Sequence, residues 1–216
     1  MLDYLPALFQ GAWVTVELTF WSTLAGAFCS FFFGLGRVSG NLMLRSVSVA
    51  YIEVFRGTSL LVQMFWIFFA LPLMGVRLSP MTAGILALSL NIGAYGAEVV
   101  RGAVQSVIQS QYEAAKALNF TSRQALWFIA LPQAVPEMLP PFGNLVVQNL
   151  KDTALVSLIT LGDLAFRAES LRNLTQDSTT IYTLVLFMYF GMALVLTAIM
   201  KLLEHRVGRW RGTGAN

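Results

Sequence analysis

Seven polar or charged side chains lie between residues 144 and 157 of an otherwise apolar stretch: Asn144, Gln148, Asn149, Lys151, Asp152, Thr153 and Ser157. A lysine beside an aspartate, with amides and hydroxyls around them, suits a zwitterion, because each end of such a solute finds an opposite charge. The group follows Pro136, Pro140, Pro141 and Gly143. These residues interrupt helical hydrogen bonding and free backbone groups that need a cavity or neighbouring protein. The expected role of Asn144, Gln148, Lys151, Asp152, Thr153 and Ser157 is therefore a solute path and its gate. Plain helix-to-helix hydrogen bonding is the alternative use of the same groups.

Other chemistries lack their residues. Cys29 is the only cysteine and cannot form an intramolecular disulfide, and His205 is the only histidine. No set of side chains has metal-ligand spacing. No phosphate loop of the form G-x-x-x-x-G-K followed by Ser or Thr occurs, and no nucleophile stands at a workable spacing from a base. The sequence thus predicts no enzyme, no ATPase activity of its own, and no cofactor or metal. Glu98 and Arg101, three residues apart on one helix face, are expected to pair with each other. Glu17, near the start of its segment, is expected to reach water.

The chain that must position these groups has 216 residues, of which 56% are hydrophobic and 12% charged, and its mean hydropathy is +0.67. A soluble protein carries about 25% charged residues. The apolar residues run in long blocks, so lipid is the expected solvent. A span needs roughly 20 mostly apolar residues, and five segments qualify: about 8–35, 59–76, 81–100, an irregular 135–150 followed by an apolar 153–164, and 181–203. The fold class is all-α, a single polytopic domain over residues 1–216. The first segment is not a cleavable signal, since no basic residue precedes it.

Five crossings place the termini on opposite sides. One side collects Arg37, Arg45, Arg56, Arg101, Lys116, Arg123, Lys201, Arg206, Arg209 and Arg211; the other collects Arg77, Lys151, Arg167 and Arg172. The positive-inside rule puts the N-terminus outside and the C-terminus in the cytoplasm. The net charge of +3 is read as orientation in lipid, and nucleic acid is not an expected partner. Trp210 between Arg209 and Arg211 reads as an interfacial anchor. The Phe31–Phe33 run and the cluster of Phe65, Trp66, Phe68 and Phe69 read as packing or lipid-facing residues.

The largest cytoplasmic segment, about 102–132, contains good helix formers in Gln111–Leu118. Asn119 follows, a residue that tolerates the left-handed conformation ending a helix. Thr121 with Gln124 three residues on makes a capping box for a second helix, expected to stop at Pro132. Two short helices at a fixed corner make a rigid protrusion.

The stretch EAAKALNFTSRQALWFIALPQA, Glu113–Ala134, resembles the cytoplasmic loop of permease subunits of bacterial ATP-binding-cassette importers, whose signature is Glu-Ala-Ala, a later Gly, and an Ile or Leu before Leu-Pro. Phe55-Arg56-Gly57-Thr58, Leu60-Leu61-Val62-Gln63, Tyr95 to Gly102, and Lys151-Asp152-Thr153 with Ser157 are similar to the polar amino-acid branch of that family. The likeness runs from about residue 10 to 205. Within it, Leu90–Tyr95 and Thr153–Leu164 look most like permeases for ectoine and hydroxyectoine. The family's Gly falls at Asn119, which leaves the tightness of that turn as the one departure.

The resemblance implies a MetI-like permease fold and a subunit that moves a polar amino acid or zwitterionic compatible solute across the bacterial inner membrane. It implies as partners two cytoplasmic ATPase subunits, an extracytoplasmic binding protein and a second permease, identical or homologous. Glu113, Ala114, Ala115, Leu118 and Asn119 would dock the ATPase, with Glu113 offering charge and the alanines close approach. The rival reading is a self-contained channel or facilitator, in which Glu113 and Lys116 are only a surface pair.

Overall fold

The computed structural model describes residues 4–208, and every described element is helical. Trp210 and its flanking arginines lie outside the described residues. The long first helix α1, Leu5–Val38, buries a ladder of small side chains that includes Thr15, Thr19, Ser22, Gly26, Ser30 and Gly34. Small residues let two backbones approach in lipid, where no hydrophobic effect drives helices together. The partner is α4, Pro80–Gln105, started by Ser79, whose side chain accepts from Thr82 N–H, and by Pro80 in the first turn. Gly84 faces Leu18, Gly26 faces Ser89 and Gly93, and Gly34 faces Ala97 and Val100. The pairing advances in the same direction along both chains, so α1 and α4 are parallel.

Parallel neighbours require a crossing in between. It is made by α2, Leu42–Gly57, and by a second piece over 60–74 that opens as α3, Leu60–Phe65, and continues through a π turn and 3-10 turns. The two pieces meet at a bend of 103°. The return crossing α7, Leu131–Asp152, runs antiparallel to α1 and α4, since Phe142 packs on Gly96 and Phe31 while Asn149 reaches Ser22. It is followed by 3-10 turns over Thr153–Ile159 and by α8, Leu164–Thr175. The last helix α9, Ser178–Gly208, packs Ile181 with Leu8 and Ala12 at one end and Met200 on Gly143, beside Phe142 and Phe31, toward the other, and so runs with α1. Five helical runs thus follow in alternating directions: α1, the bent α2–α3 pair, α4, α7 and α9; α7 runs alongside the others but is not apolar enough to qualify as a span by composition. Three of them, α1, α4 and α9, are long and apolar enough alone, and the bent pair qualifies as a fourth.

Four sequence expectations change. The second crossing begins at Leu42, not near residue 59. Arg45, Ser46, Ser48, Glu53 and Arg56 had disguised α2 as a connection, although its inner face buries Ser48 and Ile52 and stacks Tyr51 on Phe33 at 3.9 Å. Arg56 consequently lies over the Tyr95 ring, 5.3 Å from its centre and near the middle of α4, rather than at the cytoplasmic end where it was counted. The fourth crossing is continuous. Pro132 occupies its first turn, where the missing N–H is no loss, and Pro136, Pro140 and Pro141 stand inside the helix without ending it. Nor does the second loop helix stop at Pro132 as expected: Ser122–Ala125 continues through a π turn over Leu126–Ala130 straight into α7.

Candidate functional site

The polar face of α7 divides into two directions. Asn149 is buried, and its amide donates to Ser22 Oγ at 2.8 Å and Thr23 Oγ1 at 3.0 Å, clamping α7 to α1. Thr153 is fully buried and donates to Leu150 O at 2.6 Å; Ser157 donates to Ala154 O at 2.7 Å. These hydroxyls serve the helix ends. Gln148 turns the other way and donates to the Asp152 carboxylate at 2.8 Å.

Gln148 and Asp152 line a cavity of about 590 Å3 together with Thr58, Ser59, Asn91, Tyr95 and Asn149. Its apolar wall is supplied by α3, α4 and α7 through Leu60, Leu61, Leu88, Ile92, Leu145 and by Leu155 beyond α7. That volume is within the range of small-molecule sites. The cavity lies where α2 and α3 part, near the middle of the α4 helix. One carboxylate and five further polar side chains besides the clamped Asn149 give it polarity at a depth where polar groups normally face a partner or water; Arg56 is not part of its wall and reaches it only through Tyr95, whose ring it covers. Asn144 is exposed one helical turn before Gln148, and Lys151 is exposed beside Asp152; neither lines the cavity. Of the six residues assigned to the solute path from sequence, the structure brings Gln148 and Asp152 together there. Thr58, Ser59, Asn91 and Tyr95 were not assigned to it, although Thr58, Asn91 and Tyr95 lie in segments that carry the family likeness. Their signal was a polar interruption, Gly57-Thr58-Ser59, between apolar blocks, and a lone Asn in the apolar run 81–100.

The protruding loop has the expected corner. Helix α5, Gln109–Ala117, ends as Asn119 takes φ 60, and Phe120 N–H bonds Ala115 O at 3.0 Å. Thr121 and Gln124 form the reciprocal capping box at the start of α6, Ser122–Ala125. Glu113, Ala114, Leu118 and Asn119 face outward, while Ala115 is 1% exposed and turns in toward the body. Tyr112 Oη donates to Val104 O on α4 at 3.4 Å, and Gln133 on α7 donates to Gln111 at 3.5 Å. Burial pushes the Tyr112 phenol up from its usual value, so it stays a neutral donor. The loop is therefore tied to two crossings. Among the described residues no ion pair joins Glu113 to Lys116.

At the same end of the bundle, Glu98 is shared. One carboxylate oxygen accepts from Arg37 of α1, and the other pairs with Arg101 at 2.9 Å; Glu53 of α2 stands 3.9 Å from Arg37. The Glu98–Arg101 pair expected from spacing is present, and α1 joins it.

Comparison with known proteins gives a consistent result. The family model for the binding-protein-dependent transport system inner membrane component matches residues 22–209. The chain is 63% identical over 216 residues to the probable amino-acid ABC transporter permease protein y4tF of Sinorhizobium fredii (strain NBRC 101917 / NGR234), covering 97% of this chain and 91% of that protein. It is 34% identical to the L-cystine transport system permease protein TcyB of Bacillus subtilis (strain 168), over 96% of this chain and 89% of the other. Among solved structures, an amino acid ABC transporter with histidines matches at TM-score 0.89 and 35% identity, covering 95% of this chain and 96% of that one. The inward-facing MetNI methionine ABC transporter matches at TM-score 0.79 and 19% identity, over 93% and 96% of the two chains, a likeness of fold.

Proposed function

Because the chain belongs to the family of binding-protein-dependent transport system inner membrane components, we propose that it lets a zwitterionic solute cross at the cavity between α3, α4 and α7, powered by a separate ATPase. Permease subunits of this family carry no ATPase of their own. The observation that carries the reading is the placement of Gln148 and Asp152 in a mid-bundle cavity of about 590 Å3, roomy enough for an amino acid, with Asn91 and Tyr95 in its wall and Arg56 5.3 Å from the centre of the Tyr95 ring. Asp152 takes the ammonium end, and the carboxylate end lies toward Asn91 and the side of Tyr95 that carries Arg56. The class includes polar amino acids and the compatible solutes ectoine and hydroxyectoine, which the Leu90–Tyr95 stretch favours.

The partners are two ATPase subunits, an extracytoplasmic binding protein and a second permease subunit, the whole chain acting as one permease domain. Glu113, Ala114, Leu118 and Asn119 offer the docking face; Ala115 supports it from beneath. The N-terminus is outside and the C-terminus cytoplasmic, because removing Arg56 from the count still leaves nine basic residues against four. ATP binding draws two such loops together, and the ties of α5 to α4 and α7 turn that motion into rearrangement around the cavity.

The test is uptake by proteoliposomes holding the permease with its ATPase and binding protein. Asp152→Ala is expected to lower ATP-dependent uptake without lowering the amount of assembled complex. Equal loss of both would make Asp152 a structural residue.

A further inference from the structure

The break in the second crossing is closed by two side-chain amides. A helix interrupted at Thr58 and Ser59 leaves carbonyls without helical donors, which is costly away from water. Gln63, only 9% exposed, donates from Nε2 to Phe55 O at 2.9 Å, to Thr58 Oγ1 at 2.7 Å and to Thr58 O at 3.2 Å. Asn91 of α4 donates from Nδ2 to the same Phe55 O at 3.2 Å and to Gln63 Oε1 at 3.4 Å. Thr58 in turn donates to Val54 O at 2.7 Å. These bonds hold a 103° bend. Asn91 is also a wall of the cavity, beside Thr58 and Ser59 from the break itself. One amide thus bonds the hinge and faces the space proposed for solute.

We propose that Gln63 and Asn91 form a latch on the bent crossing, and that Asn91 is a positioning residue through which an occupied cavity loosens the bend. A solute carboxylate accepting from Asn91 Nδ2 draws that donor from Phe55 O and Gln63 Oε1, and the bond it forms exists only in the released state. Such a differential contact is what a ligand needs in order to shift an equilibrium. The proposal rests on the cavity being the solute path. It predicts that Asn91→Asp, which keeps shape and loses the donor, raises solute-independent ATPase activity of the assembled transporter about tenfold, the order of population change that losing its two part-buried hydrogen bonds gives. Asn91→Gln, which keeps the amide, restores part of the control.

The deciding experiment places spin labels at Val54 and Val62, both exposed and on either side of the break, in the complete transporter in lipid nanodiscs, and reads their separation by pulsed EPR. With wild-type latch residues the distribution is narrow, and it broadens when ectoine or an L-amino-acid mixture is added with the binding protein. In Asn91→Asp and Gln63→Glu it is broad before any solute is added. A narrow distribution in both variants overturns the latch, and a wild-type distribution that ignores transported solute overturns the link to the cavity. Uptake by Asp152→Ala at the wild-type rate would instead remove the solute path while leaving the latch result standing.

Discussion

Asn149 on α7 donates its amide to the Ser22 hydroxyl of α1 at 2.8 Å, a bond between residues 127 apart, while its neighbour Gln148 turns away from α1 and donates to Asp152. Adjacent amides on one helix therefore do different work. Asn149→Ala takes a donor from the buried Ser22 hydroxyl and the partly buried Thr23 hydroxyl and costs about 1 to 3 kcal/mol, so it is expected to reduce the amount of folded permease in the membrane. Gln148→Ala is expected to keep the amount and reduce uptake. Quantitative blotting of membranes beside uptake rates separates the two.

Glu98 is the second junction, holding α1 to α4 through Arg37 and bonding Arg101 on its own helix. Removing one charge from a partly buried cluster leaves the others unpaired, which outweighs the modest value of an exposed pair. Glu98→Gln is expected to lower the melting temperature of detergent-solubilised permease by several degrees. A double-mutant cycle with Arg37→Gln should show strong non-additivity; additive losses would mean that the two residues act independently.

The close approach of α1 and α4 sets a third expectation. A Cβ placed on Gly34 would lie 2.8 Å from Ala97 O and 2.7 Å from Val100 Cβ, and the first of these is backbone that cannot step aside. Gly34→Val should therefore remove most of the protein from the membrane fraction. Gly102→Ala meets nothing within 4 Å and should be accepted.

Asp163 gives a pH signature at the end of the bundle opposite the protruding loop. It is fully buried and caps α8 by accepting from Ala165 and Phe166 N–H, yet burial pushes its carboxyl up to about 6. A carboxyl raised above its unfolded value, near 3.9, binds protons more tightly when folded, so stability falls as pH rises from about 4 through 6. Between pH 5 and 7 the loss is about 1 kcal/mol. Asp163→Asn keeps the cap and removes the titration. The difference in melting temperature between wild type and variant should therefore shrink on going from pH 7 to 5. A constant difference would mean that Asp163 ionises freely.

How much of this was legible in the sequence depends on what each residue's signal competed with. The corner of the protruding loop was readable because Asn119, Thr121 and Gln124 act through local backbone chemistry, and the structure realises that geometry. The long apolar crossings were readable from length. Helix α2 was not, because hydropathy alone cannot tell a connection from a crossing whose polar residues meet other protein, as Tyr51 meets Leu90 O and Gln63 meets the broken backbone. The proline-rich segment was misread for a related reason. Tertiary packing carries a helix past missing hydrogen bonds that would end it in isolation. Of the polar group at 144–157, sequence showed the right neighbourhood without the direction in which each side chain points. Direction is what assigns Gln148 and Asp152 to the cavity, and Asn149 and Thr153 to packing.

Copurification decides whether the proposed drive through the loop ending at Asn119 operates in this permease. Tagged wild-type protein and Glu113→Arg are drawn from native membranes and their companions identified. The expected result is an ATPase subunit and a permease partner with the wild type, with the ATPase lost from Glu113→Arg while the permease partner remains. Recovery of the wild-type protein with no ATPase, together with uptake that does not require ATP, would contradict the account and leave a facilitator.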